Sequence, residues 1–96
     1  MAEQGLAEKV KRYQQLTAQA LAKIRVKAGL SAREKAAAED FLAMASNYFR
    51  DAGFFEQKGE LLTALAAYSY AHAWLDAGVR AGWFDAQGDD QLFTLP

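Results

Sequence analysis

The 96-residue chain contains no cysteine, a single proline at position 96, and few β-branched residues. Without cysteine, disulfides and thiolate metal sites are excluded, and the composition fits a reducing interior. The scarcity of valine, isoleucine and threonine argues against a sheet. No apolar run approaches the ~20 residues needed to cross a membrane. The opening "MAEQGLAEKVKRYQQ" has neither the apolar core nor the cleavage pattern of a signal peptide, so a cytoplasmic location is expected. One histidine and scattered acids form no metal-ligand pattern, and "AGLSAREK" lacks the glycine spacing of a phosphate loop. No cofactor or metal site is expected.

What is present is 52% apolar content, rich in alanine and leucine, which is the composition of packed helices. A chain of this length buries only about 60–65% of its unfolded surface, so a single domain must pack efficiently or share its core with a partner. The net charge of −1 conceals an asymmetry. Residues 1–35 carry eight basic residues against three acids, a balance of +5; residues 36–96 carry three against nine, a balance of −6. That asymmetry favours intramolecular pairing or self-association. Nucleic-acid contact through the basic segment is disfavoured, because no aromatics are interleaved with the charges.

Periodicity predicts an all-α fold: an up-down-up three-helix bundle over residues 1–96 with a short extended C-terminal tail. The first helix is expected over 5–28. Leu6, Val10, Tyr13, Leu16, Ala20, Ile24 and Ala28 form its stripe, and Gly29 its left-handed cap. "SARE", Ser31 to Glu34, is a capping-box pattern that opens a second helix over 32–58, stopped by Gly59. Within it, Gly53 marks a close approach or a weak point. Tyr48, Phe49, Phe54 and Phe55 read as core and hairpin packing. A third helix is expected over 60–81, closed by Gly82. In the tail, 83–96, "QLFTL" reads as extended, with Phe93 and Leu95 available to dock on the bundle.

The third helix is where a site is expected. Leu61, Ala64, Leu65, Tyr68, Ala71, Leu75 and Val79 make its core face, while Tyr70 and Trp74 lie together on another side. Its polar residues are confined to the narrow stripe Ser69, His72, Asp76 and Arg80. The four-residue spacing lets Asp76 reach the His72 imidazole and lets Arg80 reach Asp76. A histidine oriented by a carboxylate is the beginning of a general base. No nucleophile accompanies it unless Ser69 serves, and no catalytic residues are assigned. The sequence therefore favours a non-enzymatic interaction module, self-associating or docking on another protein through the Tyr70/Trp74 side. Tyr70, His72, Trp74, Asp76 and Arg80 are the candidate surface. A small-ligand pocket lined by Tyr48, Tyr68, His72 and Asp76 is the alternative.

The segment "NYFRDAGFFEQKGELLTALAAYSYAHAWLDAGVRAGWF", Asn47 to Phe84, resembles the archaeal domain-of-unknown-function family 357. The resemblance is carried by Tyr48, Phe49, Asp51, Ala52 and Gly59, then by Tyr70, Ala71, His72, Trp74, Leu75, Asp76, Ala77, Arg80 and Gly82. "LFT", Leu92 to Thr94, is similar as well. Ala73 stands where the family often has glycine. The first helix is similar only in character. The resemblance implies a small three-helix protein of an archaeal cytoplasm and brings no activity with it.

Overall fold

The computed structural model describes residues 2–95 as α1 (Ala2–Lys23), β1 (Arg25–Val26), α2 (Ala32–Gln57), α3 (Leu61–Arg80) and β2 (Phe84–Asp85). The class is all-α: three helices run up, down and up, with one short strand pair at one end. α3 is central. It packs along both other helices, which meet each other much less. The bundle is long and thin, 49 × 23 × 17 Å.

α2 begins as its sequence dictates. The Ser31 hydroxyl accepts from the Glu34 amide at 3.1 Å, and the Glu34 carboxylate accepts from the Ser31 amide at 3.0 Å. A cap of this kind contributes about 1 kcal/mol. α2 and α3 end in the same way. Gly59 and Gly82 take φ of +78° and +81°, so the chain turns and the last free carbonyls are satisfied. The amide of Glu60 reaches the Phe55 carbonyl, and that of Trp83 reaches the Gly78 carbonyl, each at 3.0 Å.

α1 ends earlier than its periodicity predicts. Helix was expected to Ala28; it stops at Lys23, and residues 25–26 form a strand. Arg25 pairs with Asp85 and Val26 with Phe84 in an antiparallel ladder, and the Lys27 amide donates to the Trp83 carbonyl at 2.8 Å. The carbonyls left free at the helix end are taken by long side chains. Gln87 Nε2 donates to the Lys23 carbonyl at 2.9 Å, and the Arg25 guanidinium donates to those of Ala22 and Ile24. Helix and strand are close in intrinsic cost for "IRV", so partners 60 residues away decide. Gly29 does take a left-handed φ of +81°, but in the turn before α2 rather than as the cap of α1, and Ala28 is exposed there.

The tail also differs from expectation. "QLFTL" is not extended: residues 90–92 form a turn, with the Asp89 carboxylate accepting the amides of Gln91 and Leu92 at 3.0 Å each. Of the two residues expected to dock, Phe93 is buried at 3% exposure, while Leu95 stays at the surface.

The core falls into two clusters. At the strand end, Ala20, Ile24, Ala45, Leu75, Val79, Phe84 and Phe93 pack together. Toward the other end, Val10, Ala52, Ala64 and Tyr68 are flanked by Leu6, Tyr13, Phe49 and Leu65.

Candidate functional site

The polar stripe of α3 is the first place to look: Ser69 is exposed, while His72, Asp76 and Arg80 all hold partners. The Leu92 carbonyl can only accept, so the His72 Nε2 that meets it carries the proton. In that tautomer Nδ1 accepts from the hydroxyl of Thr17, fully buried on α1, at 3.1 Å. One turn on, Asp76 Oδ1 accepts the Thr94 amide at 2.8 Å. One turn further, Arg80 Nη1 donates to the Leu95 carbonyl at 3.4 Å. The expected contacts of Asp76 with His72 and Arg80 are not formed among the described residues, where the ion pairs are Lys11–Glu56 and Lys23–Asp89. The i, i+4, i+8 spacing was legible; its object, the main chain of the tail, was not. No ring nitrogen of His72 is left free for proton transfer.

The Tyr70/Trp74 side divides in two. Trp74 is half-buried against α2, edge-on to Phe41 at 4.9 Å between centroids, and its Nε1 is buried with no hydrogen-bond partner. Tyr70 stays 48% exposed and meets Tyr48 edge-on at 4.5 Å. Tyr48 and Tyr70 are each eleven residues from Gly59, so the hairpin could have foretold their contact. Beyond Tyr70 lies a bare face of α3. Leu62 is 72% exposed, and Ala66, Ser69, Ala73 and Ala77 are exposed along the same side. No charged residue occurs between Leu61 and Leu75. Phe54, read as packing from the sequence, is 56% exposed on α2, with the Lys58 ammonium 4.5 Å from its ring centroid.

A second polar cluster lies where α1 and α2 diverge over α3, and sequence reasoning missed it. A groove of about 360 Å³ is lined by Lys11, Gln14, Gly53, Glu56, Gln57 and Tyr68. The Tyr68 hydroxyl donates to Glu56 Oε1 at 2.7 Å, and Lys11 Nζ lies 3.1 Å from Glu56 Oε2. Burial pushes the Glu56 carboxyl up, but the Tyr68 hydroxyl and the Lys11 ammonium together outweigh it and hold the carboxyl below its ordinary range. Burial, then the Glu56 carboxylate, pushes the Tyr68 phenol well above its usual value. The pocket expected around Tyr48, Tyr68, His72 and Asp76 is not assembled as one group. Tyr68 joins Glu56, Tyr48 joins Tyr70, and His72 and Asp76 hold the tail. Among the described residues no three histidine, aspartate or glutamate side chains converge as a metal site, and no helix is long and apolar enough to cross a membrane.

Fold and site together define a small all-α protein whose central helix grips its own C-terminal segment. The chain belongs to the protein family of unknown function DUF357, whose sequence model matches residues 12–84. The match takes in the second half of α1, which the sequence had suggested only in character. It ends at Phe84, so "LFT" at 92–94 lies outside it. No curated protein and no solved structure matches the chain.

Proposed function

We propose that the protein is a non-enzymatic interaction module that docks a protein partner through the open face of α3. The observation that carries this reading is the uncovered side of α3 formed by Leu62, Ala66, Ser69, Tyr70, Ala73 and Ala77, none of them charged, with Leu62 and Tyr70 the most exposed apolar side chains on it. Exposed apolar surface on a central helix is costly unless something covers it, and aromatic residues dominate such contacts. Commitment of the only histidine to Thr17 and the tail supports a role without catalysis. The cysteine-free composition and the family resemblance fit a cytoplasmic, archaeal setting. The test is a photo-crosslinking amino acid placed at position 70, with a control at Glu39 on exposed α2. Protein adducts from position 70 and not from position 39 are expected; adducts from neither, in the source cell, would remove the reading.

A second reading, a small-ligand-binding domain, draws support from the Lys11–Glu56–Tyr68 groove, where donors and acceptors from all three helices converge. Ligands that bind only the folded chain raise its melting temperature. A metabolite and nucleotide panel that leaves the melt unmoved disposes of this reading.

A further inference from the structure

We infer that the groove between α1 and α3 is a peptide-recognition site which residues 92–95 fill in cis, and that its partner is a short segment of another protein carrying an aromatic anchor. The tail is held as such a segment would be held. Three α3 side chains, one turn apart, meet three main-chain groups in the same order. His72 donates to the Leu92 carbonyl, Asp76 accepts the Thr94 amide, and Arg80 donates to the Leu95 carbonyl. His72 and Arg80 stand about 12 Å apart along the helix axis. The chain from Leu92 to Leu95 reaches about 10 Å when drawn out, so the segment lies along α3 in the helix's own direction. Main-chain groups are common to all residues, so this readout accepts many sequences.

Side-chain recognition falls on one position. Phe93 is buried in the cluster of Ala20, Ile24, Leu75 and Val79, with its ring centroid 6.3 Å from that of His72, while Thr94 and Leu95 are exposed. Main-chain hydrogen bonds beside a pocket for one anchor are how grooves bind short peptides. The receptor side is prepared by the bundle: Thr17 on α1 holds the His72 ring from behind, so Nε2–H is aimed without help from the tail. The tether is a loop in which Gln87 and Gly88 both take left-handed φ, +55° and +71°, and no ladder extends past Asp85. A glutamine in that region is held there at a cost that opening the loop recovers. A tethered segment competes at high effective concentration, so the whole chain binds a free peptide more weakly than the emptied groove does. The site does not include the bare side of α3 and stands or falls apart from it.

The probe is a synthetic, fluorophore-labelled peptide of residues 89–95, titrated by fluorescence polarisation into the whole chain and into its Phe93→Ala variant. The variant keeps the groove and loses the resident anchor, so it is expected to bind the peptide at least about tenfold more tightly than wild type does. Phe93→Ala in the peptide is expected to abolish binding. Thr94→Ala in the peptide leaves the affinity unchanged and Thr94→Pro removes it, because the amide is read and the side chain is not. A Phe93→Ala chain that is folded by circular dichroism and does not bind the peptide overturns the proposal, and so does one that binds the Thr94→Pro peptide equally well. If Phe93→Ala does not fold, the wild type decides. Millimolar peptide is then expected to speed hydrogen exchange at the chain's own Thr94 amide while the helix amides stay protected. A Thr94 amide that the peptide leaves protected overturns the proposal.

Discussion

Two helix-interior glycines look alike in sequence and differ in what surrounds them. A β-carbon on Gly53 would meet the Tyr68 hydroxyl at 3.7 Å, an ordinary contact. Gly53→Ala is therefore expected to stabilise the protein by up to about 1 kcal/mol, through helix propensity and a less flexible unfolded chain. A β-carbon on Gly78 would overlap the Phe84 ring, which folds back onto α3 from β2. Gly78→Ala is expected to cost about 1–3 kcal/mol despite the same propensity gain. Urea denaturation of the two variants checks both signs. At the third helix, Tyr68→Phe removes a hydrogen bond to a carboxylate that water and Lys11 still reach, and about 1–2 kcal/mol is the expected loss by the same measurement.

At the scale of elements, α3 has three uses for its sides. One packs against α2, with Trp74 edge-on to Phe41. One faces α1 and holds the tail. The last is bare. The tail is attached mainly by a single buried ring, Phe93, and by side-chain hydrogen bonds from α3, with no strand ladder of its own beyond Asp85. Asp76→Ala is therefore expected to deprotect the Thr94 amide in hydrogen exchange by more than tenfold while leaving the helix amides protected, since local opening need not involve the bundle. Protection of Thr94 that survives the substitution would mean that Phe93 and the contacts of His72, Arg80 and Lys23 fix this segment without Asp76. The short strand pair works differently: Phe84 is buried against Gly78, so β2 melts only with the bundle.

Over the whole molecule, part of the charge asymmetry of the sequence is resolved internally. Lys11 joins the basic first helix to Glu56 of α2, and Lys23 joins it to Asp89 of the tail at 2.9 Å. Hydrogen bonds from Ser31 hold the Glu34 carboxyl below its ordinary range. Lys23 and the amides of Leu92 and Gln91 do the same for Asp89, and Glu56 lies lower as well. For each, the unfolded chain binds a proton first as pH falls. The stability they contribute is therefore present above the ordinary carboxylate values near 4 to 4.5 and lost below them. Tyr68 runs the other way. Its contribution is full below the ordinary phenol value near 10 and declines as pH rises beyond it. A melting-temperature profile is expected to fall at both extremes, with Glu56→Gln flattening the acid side. An acid side unchanged by that substitution would take Glu56 out of the account.

The sequence by itself determined the helical class, the three helices and their order, the capping box at Ser31, the glycine stops at 59 and 82, and the core face of α3. These are local matters: period, cap chemistry and the freedom of glycine act within a few residues. It determined the polar stripe of His72, Asp76 and Arg80 as a stripe, too, because a four-residue spacing fixes one side of a helix. Only the tertiary structure decided where α1 ends, since Asp85 and Phe84 pair with Arg25 and Val26, and Gln87 and Trp83 take the flanking Lys23 carbonyl and Lys27 amide. It alone paired Glu56 with Tyr68 and Lys11, and it turned the stripe toward the tail rather than toward itself. Those outcomes depend on groups far apart in the chain, whose hydrogen bonds are worth making only after packing has removed them from water.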